Sequence, residues 1–137
     1  MTSDTSRLTV GIPREVSPDE RRVAIVPATI PALNKLGLDI VIESAAGLES
    51  GFTDDAYREK QATVVDSREQ VYQQADIILQ VQYLGSCGQA GLDDLQHVKG
   101  GQVLIGSCDP LTHPQAVQNL AERDATGFAL ELLSLIH

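Results

Sequence analysis

The sequence predicts an open, mostly parallel, doubly wound α/β sheet, flavodoxin-like or Rossmann-like, with about six strands and helices on both faces. Three observations carry this. Short β-branched runs recur along the chain with helix-like segments between them. Several of those runs are continuously apolar, which suits strands covered on both faces. The intervening segments carry helix start and stop signals. The 137 residues suit one ordinary domain, placed at 8–137 behind a polar, flexible N-terminal segment at 1–7.

The strands fall, in order, at RLTVGI (7–12), LDIVIES (38–44), ATVV (62–65), DIILQV (76–81), QVLIGS (102–107) and TGFALE (126–131). A helix from about Pro27 to Leu36 opens on a first-turn proline and stops at Gly37, with Thr29 as a possible cap because Pro31 loosens the start. Ser67 to Gln70 reads as a capping box, as does Thr112 to Gln115, and each marks a helix start after a strand. Between the fourth strand and the next helical stretch, QYLGSCGQAG (82–91), rich in small residues, reads as a loop of about ten residues. Loops at strand ends of such sheets hold ligands, although flexible packing filler is the more common explanation of glycine.

Composition narrows the function. The chain carries 42% hydrophobic and 21% charged residues and a formal net charge of −9. A pI near 4.6 repels phosphate backbones and anionic lipid, so no nucleic-acid partner is expected. No apolar run reaches the ~20 residues of a membrane span, and the start MTSDTSRL has no signal-peptide pattern, which points to the cytoplasm. Cys87 and Cys108 form no C-x-x-C pair and read as reduced, buried thiols. His97, His113 and His137 are isolated, and no metal is expected.

Motifs that would declare a chemistry are missing. Gly85, Gly88 and Gly91 have the spacing G-x-x-G-x-x-G, without the close first pair of a dinucleotide fingerprint. There is no G-K-[ST], H-E-x-x-H or G-x-S-x-G. The stretch GIPREVSPDERRVAIVP is more informative: after Gly11 and Pro13 end the first strand, Arg21 and Arg22 can face the strand ends beside Asp19 and Glu20. A guanidinium there could grip a substrate carboxylate, and surface ion pairing with its acidic neighbours is an equally good reading.

Taken together, GIPRE, ERRVAIVP, LNKLGLDIVIESAAG, GFTDDAY and ADIILQV resemble the N-terminal domain shared by alanine dehydrogenases and the alpha subunit of proton-translocating NAD(P) transhydrogenases. The resemblance runs from about Leu8 to Glu131. In the alanine dehydrogenase pattern, an arginine in R-V-A, a lysine after the I-L-K-V strand and a histidine after the G-Q-I-L strand serve the substrate. Here those positions are Arg22, Gln82 and Asp109, so only the arginine is kept, and DPLTHPQAVQNLAERDAT resembles the transhydrogenase version. The resemblance therefore implies the first lobe of a transhydrogenase alpha subunit, with Arg22, Gln82 and Asp109 as cleft positions and no catalytic residue in this lobe.

The parent reaction would be hydride transfer between NAD(H) and NADP(H), coupled to proton translocation. The resemblance further implies a truncated subunit, because the family's P-R-x-x-R-A-Q text diverges at Ser134–His137 and the NAD-binding lobe would follow. The chain alone is then expected to bind no cofactor and to be inactive. Expected partners are the remaining lobe, the other subunits including a membrane subunit, and a second copy of itself. In the parent complex it would sit peripherally on the cytoplasmic face of the inner membrane. Two alternatives stand beside this reading: the lobe of an alanine-dehydrogenase-like amino-acid oxidoreductase, and a non-catalytic remnant or interaction domain.

Overall fold

The computed structural model describes residues 7–133. Ser134–His137, where the family text diverges, and residues 1–6 of the expected flexible segment lie outside the described residues. Arg7, the last residue of that segment, binds Asp39 at 2.9 Å and the carbonyl oxygens of Asn34 and Leu38.

Six parallel strands form one sheet: β1 (Leu8–Ile12), β2 (Leu38–Glu43), β3 (Thr63–Val65), β4 (Ile77–Gln82), β5 (Val103–Ser107) and β6 (Thr126–Ala129), in the spatial order β3-β2-β1-β4-β5-β6. The helices are α1 (Ile30–Lys35), α2 (Asp54–Glu59), α3 (Arg68–Gln74), α4 (Gly88–Asp93), α5 (Pro114–Ala121) and α6 (Leu130–Leu133). The fold is the doubly wound α/β sheet read from the sequence.

Strand register sorts the side chains onto two faces, because successive residues of a strand point opposite ways. On one face Val10, Ile12, Ile40 and Ile42 pack with Ile25, Ile30 and Tyr57 beneath α1 and α2. On the other, Val41, Ile78 and Leu104 pack against Val71, Tyr72 and Ala75 at α3 and Ala116 and Leu120 of α5. Gly11 lies on that second face, where an added Cβ would stand 2.7 Å from Ala75 Cβ and Val71 Cγ1. The missing side chain lets α3 sit directly on β1.

The local signals resolve unevenly. Ser67 and Gln70 form the reciprocal capping box of α3, and Gly37 follows α1 at φ +89° with its N–H on the Asn34 carbonyl. A 3₁₀ turn at Pro27–Thr29 precedes α1, and Thr29 makes no side-chain cap. Three expectations need correction. The segment 82–91 is a 3₁₀ turn at Leu84–Cys87 running into α4, not a ten-residue loop. Gly91 is there for close packing: a Cβ on it would sit 2.0 Å from the Leu84 carbonyl oxygen. Thr112–Gln115 is not a capping box, because α5 starts on Pro114, which supplies no N–H and is suited to the first helical position. The N-cap is therefore His113, with no side-chain cap bond, and Thr112 is one residue too early. The last strand ends at Ala129 rather than Glu131, because α6 begins at Leu130.

Candidate functional site

In the order β3-β2-β1-β4-β5-β6 the direction of winding reverses between β1 and β4. Ligands of such sheets bind in the crevice outside the carboxyl ends of the strands at that reversal. Here the crevice edge is formed by the segment after β1, residues 13–26, and the end of β4.

Glu15 ties the two together. The β4–β5 pairing slips between Leu79 and Gln82, and the Glu15 carboxylate accepts the N–H groups of Val81 at 2.8 Å and Gln82 at 3.0 Å. Burial pushes the Glu15 carboxyl above its ordinary value, the two N–H bonds pull it back only in part, and neighbouring Glu20 adds to the rise.

Glu20 is the hub of the exposed part. Its side chain is 4% exposed, against 74% for Arg22. Its Oε2 accepts Arg22 Nε at 2.8 Å and the Arg22 backbone N–H at 3.0 Å; its Oε1 accepts Arg22 Nη2 at 2.9 Å and Gln82 Nε2 at 2.6 Å. The Arg22 hydrogen bonds hold the Glu20 carboxyl at about 2, well below the usual carboxylate range. Arg22 and Gln82, expected at one cleft, are thus joined through one carboxylate. Arg21 is elsewhere, in an exposed pair with Glu49 at 3.3 Å.

Beneath this edge Arg68, the first residue of α3, binds Asp94 through two short bonds of 2.5 and 2.7 Å and donates to the Arg14 carbonyl at 2.5 Å. Glu43, at the end of β2, stands 3.7 Å from Arg68 and accepts the Arg14 N–H. The network pins the segment after β1 to β2, α3 and the turn at Asp94–His97.

Asp109, two residues beyond β5, adopts φ +50°, a conformation aspartate tolerates better than most. Its N–H goes to Glu131 Oε2 at 2.6 Å and its carboxylate to His113 Nδ1 at 3.2 Å, so its partners are those of the β5 end and not Arg22 or Gln82. Cys87 and Cys108 are buried and unpaired, and burial lifts the Cys87 thiol to about 11, which keeps it protonated. Among the described residues no group of three or more His, Cys, Asp or Glu could hold a metal ion.

Of the three spaced glycines, Gly88 has φ +57° and open space around it, while Gly85 and Gly91 are packed against backbone. A Cβ on Gly85 would meet the Cys108 carbonyl oxygen at 2.7 Å, and Gly91 lies against the Leu84 backbone.

Residues 11–137 match the family described as alanine dehydrogenase/PNT, N-terminal domain. The chain belongs to that family. Among curated relatives, an NAD(P) transhydrogenase subunit alpha protein of Rhodospirillum rubrum is 35% identical over 127 residues, which cover 93% of this chain and 33% of the relative. The alanine dehydrogenase of Methanococcus maripaludis is 30% identical over 126 residues, 92% of this chain and 32% of that protein. The crystal structure of transhydrogenase from Sinorhizobium meliloti superposes with a TM-score of 0.81 at 31% identity, over 90% of this chain and 35% of the other. The chain therefore spans about a third of the length of these family members.

Sequence reasoning found Arg22 and Gln82 through the resemblance and missed what joins them. Glu20 figured only as a surface neighbour of the arginines, and Glu15 not at all. An acid three residues beyond a strand end, beside the winding reversal, is the signal that was available for Glu15.

Proposed function

We propose that the chain is the first lobe of an NAD(P) transhydrogenase alpha subunit and supplies one wall of the cleft in which hydride passes between NAD(H) and NADP(H). The observation that carries this over amino-acid oxidation is Gln82. Where the alanine dehydrogenase pattern has a lysine, this chain has a neutral amide that donates to Glu20, and the histidine of that pattern is Asp109. Neither of these two positions then offers a cation for a substrate carboxylate or an imidazole acid. Arg22 and Gln82 line the cleft, Asp109 lies at its β5 side, and the lobe positions cofactors held elsewhere.

On this reading the partners are the nucleotide-binding lobe, the other subunits including a membrane subunit, and a second copy of the chain, with the complex at the cytoplasmic face of the inner membrane. The alanine dehydrogenase reading draws on Arg22, which is kept, and on the M. maripaludis relative. One comparison separates the two: a longer protein carrying this lobe is assayed for hydride transfer from NADPH to an NAD analogue and for oxidation of a panel of amino acids. Transfer between nucleotides without amino-acid turnover is expected; the converse would reject the proposal.

A further inference from the structure

We propose that Glu15 is a positioning residue: its carboxylate holds β4 in a bulge that turns Gln82 away from the buried face under α3 and toward the crevice. That Gln82 serves a cleft wall there rests on the reading above, whereas the turn itself belongs to this chain alone.

Side chains of a strand alternate between the faces of a sheet, so Ile78, Gln80 and Gln82 would share one face in a regular β4. Gln80 lies on the face under α3, 3% exposed, and its Oε1 accepts the Tyr72 hydroxyl at 3.3 Å. Gln82 does not follow it. Leu79 pairs with Ile105 and Gln82 with Ser107, three steps along β4 against two along β5, and one extra residue in a strand is a bulge. Ser107 stands two residues beyond Ile105, so Gln82 takes the face of Leu79 instead. From there its Nε2 reaches Glu20 Oε1 at 2.6 Å.

In a regular strand successive N–H groups point to opposite neighbours. Those of Val81 and Gln82 both go to Glu15, at 2.8 Å to Oε2 and 3.0 Å to Oε1. β1 pairs with β4 only as far as Gly11 and Ile78, so β1 does not take them, and a carboxylate with two oxygens fits two adjacent donors. Without that acceptor the bulge would leave two N–H groups unsatisfied. Glu15 is held in place by the residue before it: Arg14 gives its N–H to Glu43 and its carbonyl oxygen to Arg68. The ionisable groups that face Glu15 are Glu20 and Arg22 of its own segment, Arg68 of α3 and the Cys87 thiol of the turn after β4.

NMR of the 137-residue chain reads both halves of this arrangement. The backbone N–H signals of Val81 and Gln82 report the bulge, and a nuclear Overhauser contact between the Gln82 side-chain amide and the Glu20 methylenes reports the turn. Glu15→Leu, which fills the space and accepts nothing, should abolish that contact in a folded chain; a contact of wild-type strength would overturn the proposal. Glu20→Ala should leave the exchange protection of the two backbone N–H groups unchanged, and its loss would assign the bulge to Glu20 instead. Should Glu15→Leu not fold, the wild type decides. Burial raises the Glu15 carboxyl above 4.5 and Arg22 holds that of Glu20 at about 2, so acidification protonates Glu15 first. At that step, with Glu20 still charged, the Gln82 side-chain amide should shift and its contact weaken; a signal that moves only near pH 2 would overturn the proposal. Failure of the hydride-transfer assay in the longer protein would instead reject the transhydrogenase reading and leave these spectra as measured.

Discussion

At the scale of residues, two carboxylates of one crevice are driven in opposite directions. Arg22 lowers the Glu20 carboxyl from 4.5 to about 2. Its folded value lies below its unfolded one, so its contribution to stability is complete above about 4.5 and is lost as pH falls toward 2. Burial raises Glu15, so its contribution has the other sign: present below the unfolded value and lost as pH rises through the folded one. Glu20→Gln should therefore flatten the fall in urea midpoint between about pH 4.5 and 2 that the wild type shows; an undiminished fall would place the acid sensitivity elsewhere. Arg68 is a plainer case. Its side chain is 16% exposed and those of Asp94 and Glu43 are 11% and 14%, so Arg68→Met leaves two largely buried acids without their cation. A loss of about 3 kcal/mol is expected in urea unfolding, and a change near zero would mean that water replaces the guanidinium.

At the scale of elements, α3 and α5 looked alike in sequence and start differently. Ser67 and Gln70 satisfy each other's backbone groups at the start of α3, whereas Pro114 shifts the start of α5 and leaves Thr112 outside it. Ser67→Ala should cost about 1 kcal/mol and Thr112→Ala close to nothing, which paired thermal melts can compare; equal losses would contradict the assignment of caps. Segment 82–91 carries the same lesson. Its glycines suggest freedom when read along the chain, and in space Gly85 and Gly91 answer to the Cys108 and Leu84 carbonyl groups.

At the scale of the whole molecule, the described residues cover one sheet face less fully over β4–β6 than over β1–β3. The register aligns Ile77 with Val103 and Thr126, and Leu79 with Ile105 and Phe128, all on the face that α1 and α2 cover over β1–β3. Ile77, Leu79, Val103 and Ile105 are only half-buried, and Phe128, on the edge strand, is 50% exposed. Parallel sheets are normally covered on both faces and open edges invite pairing. Beyond roughly 8 Å the net charge of −9 is screened at physiological salt. The chain is therefore expected to self-associate at tens of micromolar, and Phe128→Glu to shift it toward monomer in sedimentation velocity; a wild-type monomer would refute this. The packing of Gly85 and Gly91 also predicts no saturable NAD(H) binding below about 100 μM, roughly 5.5 kcal/mol, in calorimetric titration. A tight isotherm would show a nucleotide site that these residues do not suggest.

The sequence by itself determined the alternation of strands and helices, the Ser67 cap, the stop at Gly37 and the family, because each is written in neighbouring residues: apolar runs, a cap three residues from its partner, a glycine after a helix. It also placed Arg22 and Gln82 at one site by resemblance, without the means to join them. Only the tertiary structure decided that Glu20 joins them, that Glu15 closes the end of β4 across 66 positions of chain, and that Asp109 turns to His113 and Glu131. The contacts of Glu20 with Gln82, of Glu15 with β4 and of Asp109 with Glu131 depend on the fold, which brings residues far apart in sequence to the carboxyl ends of neighbouring strands.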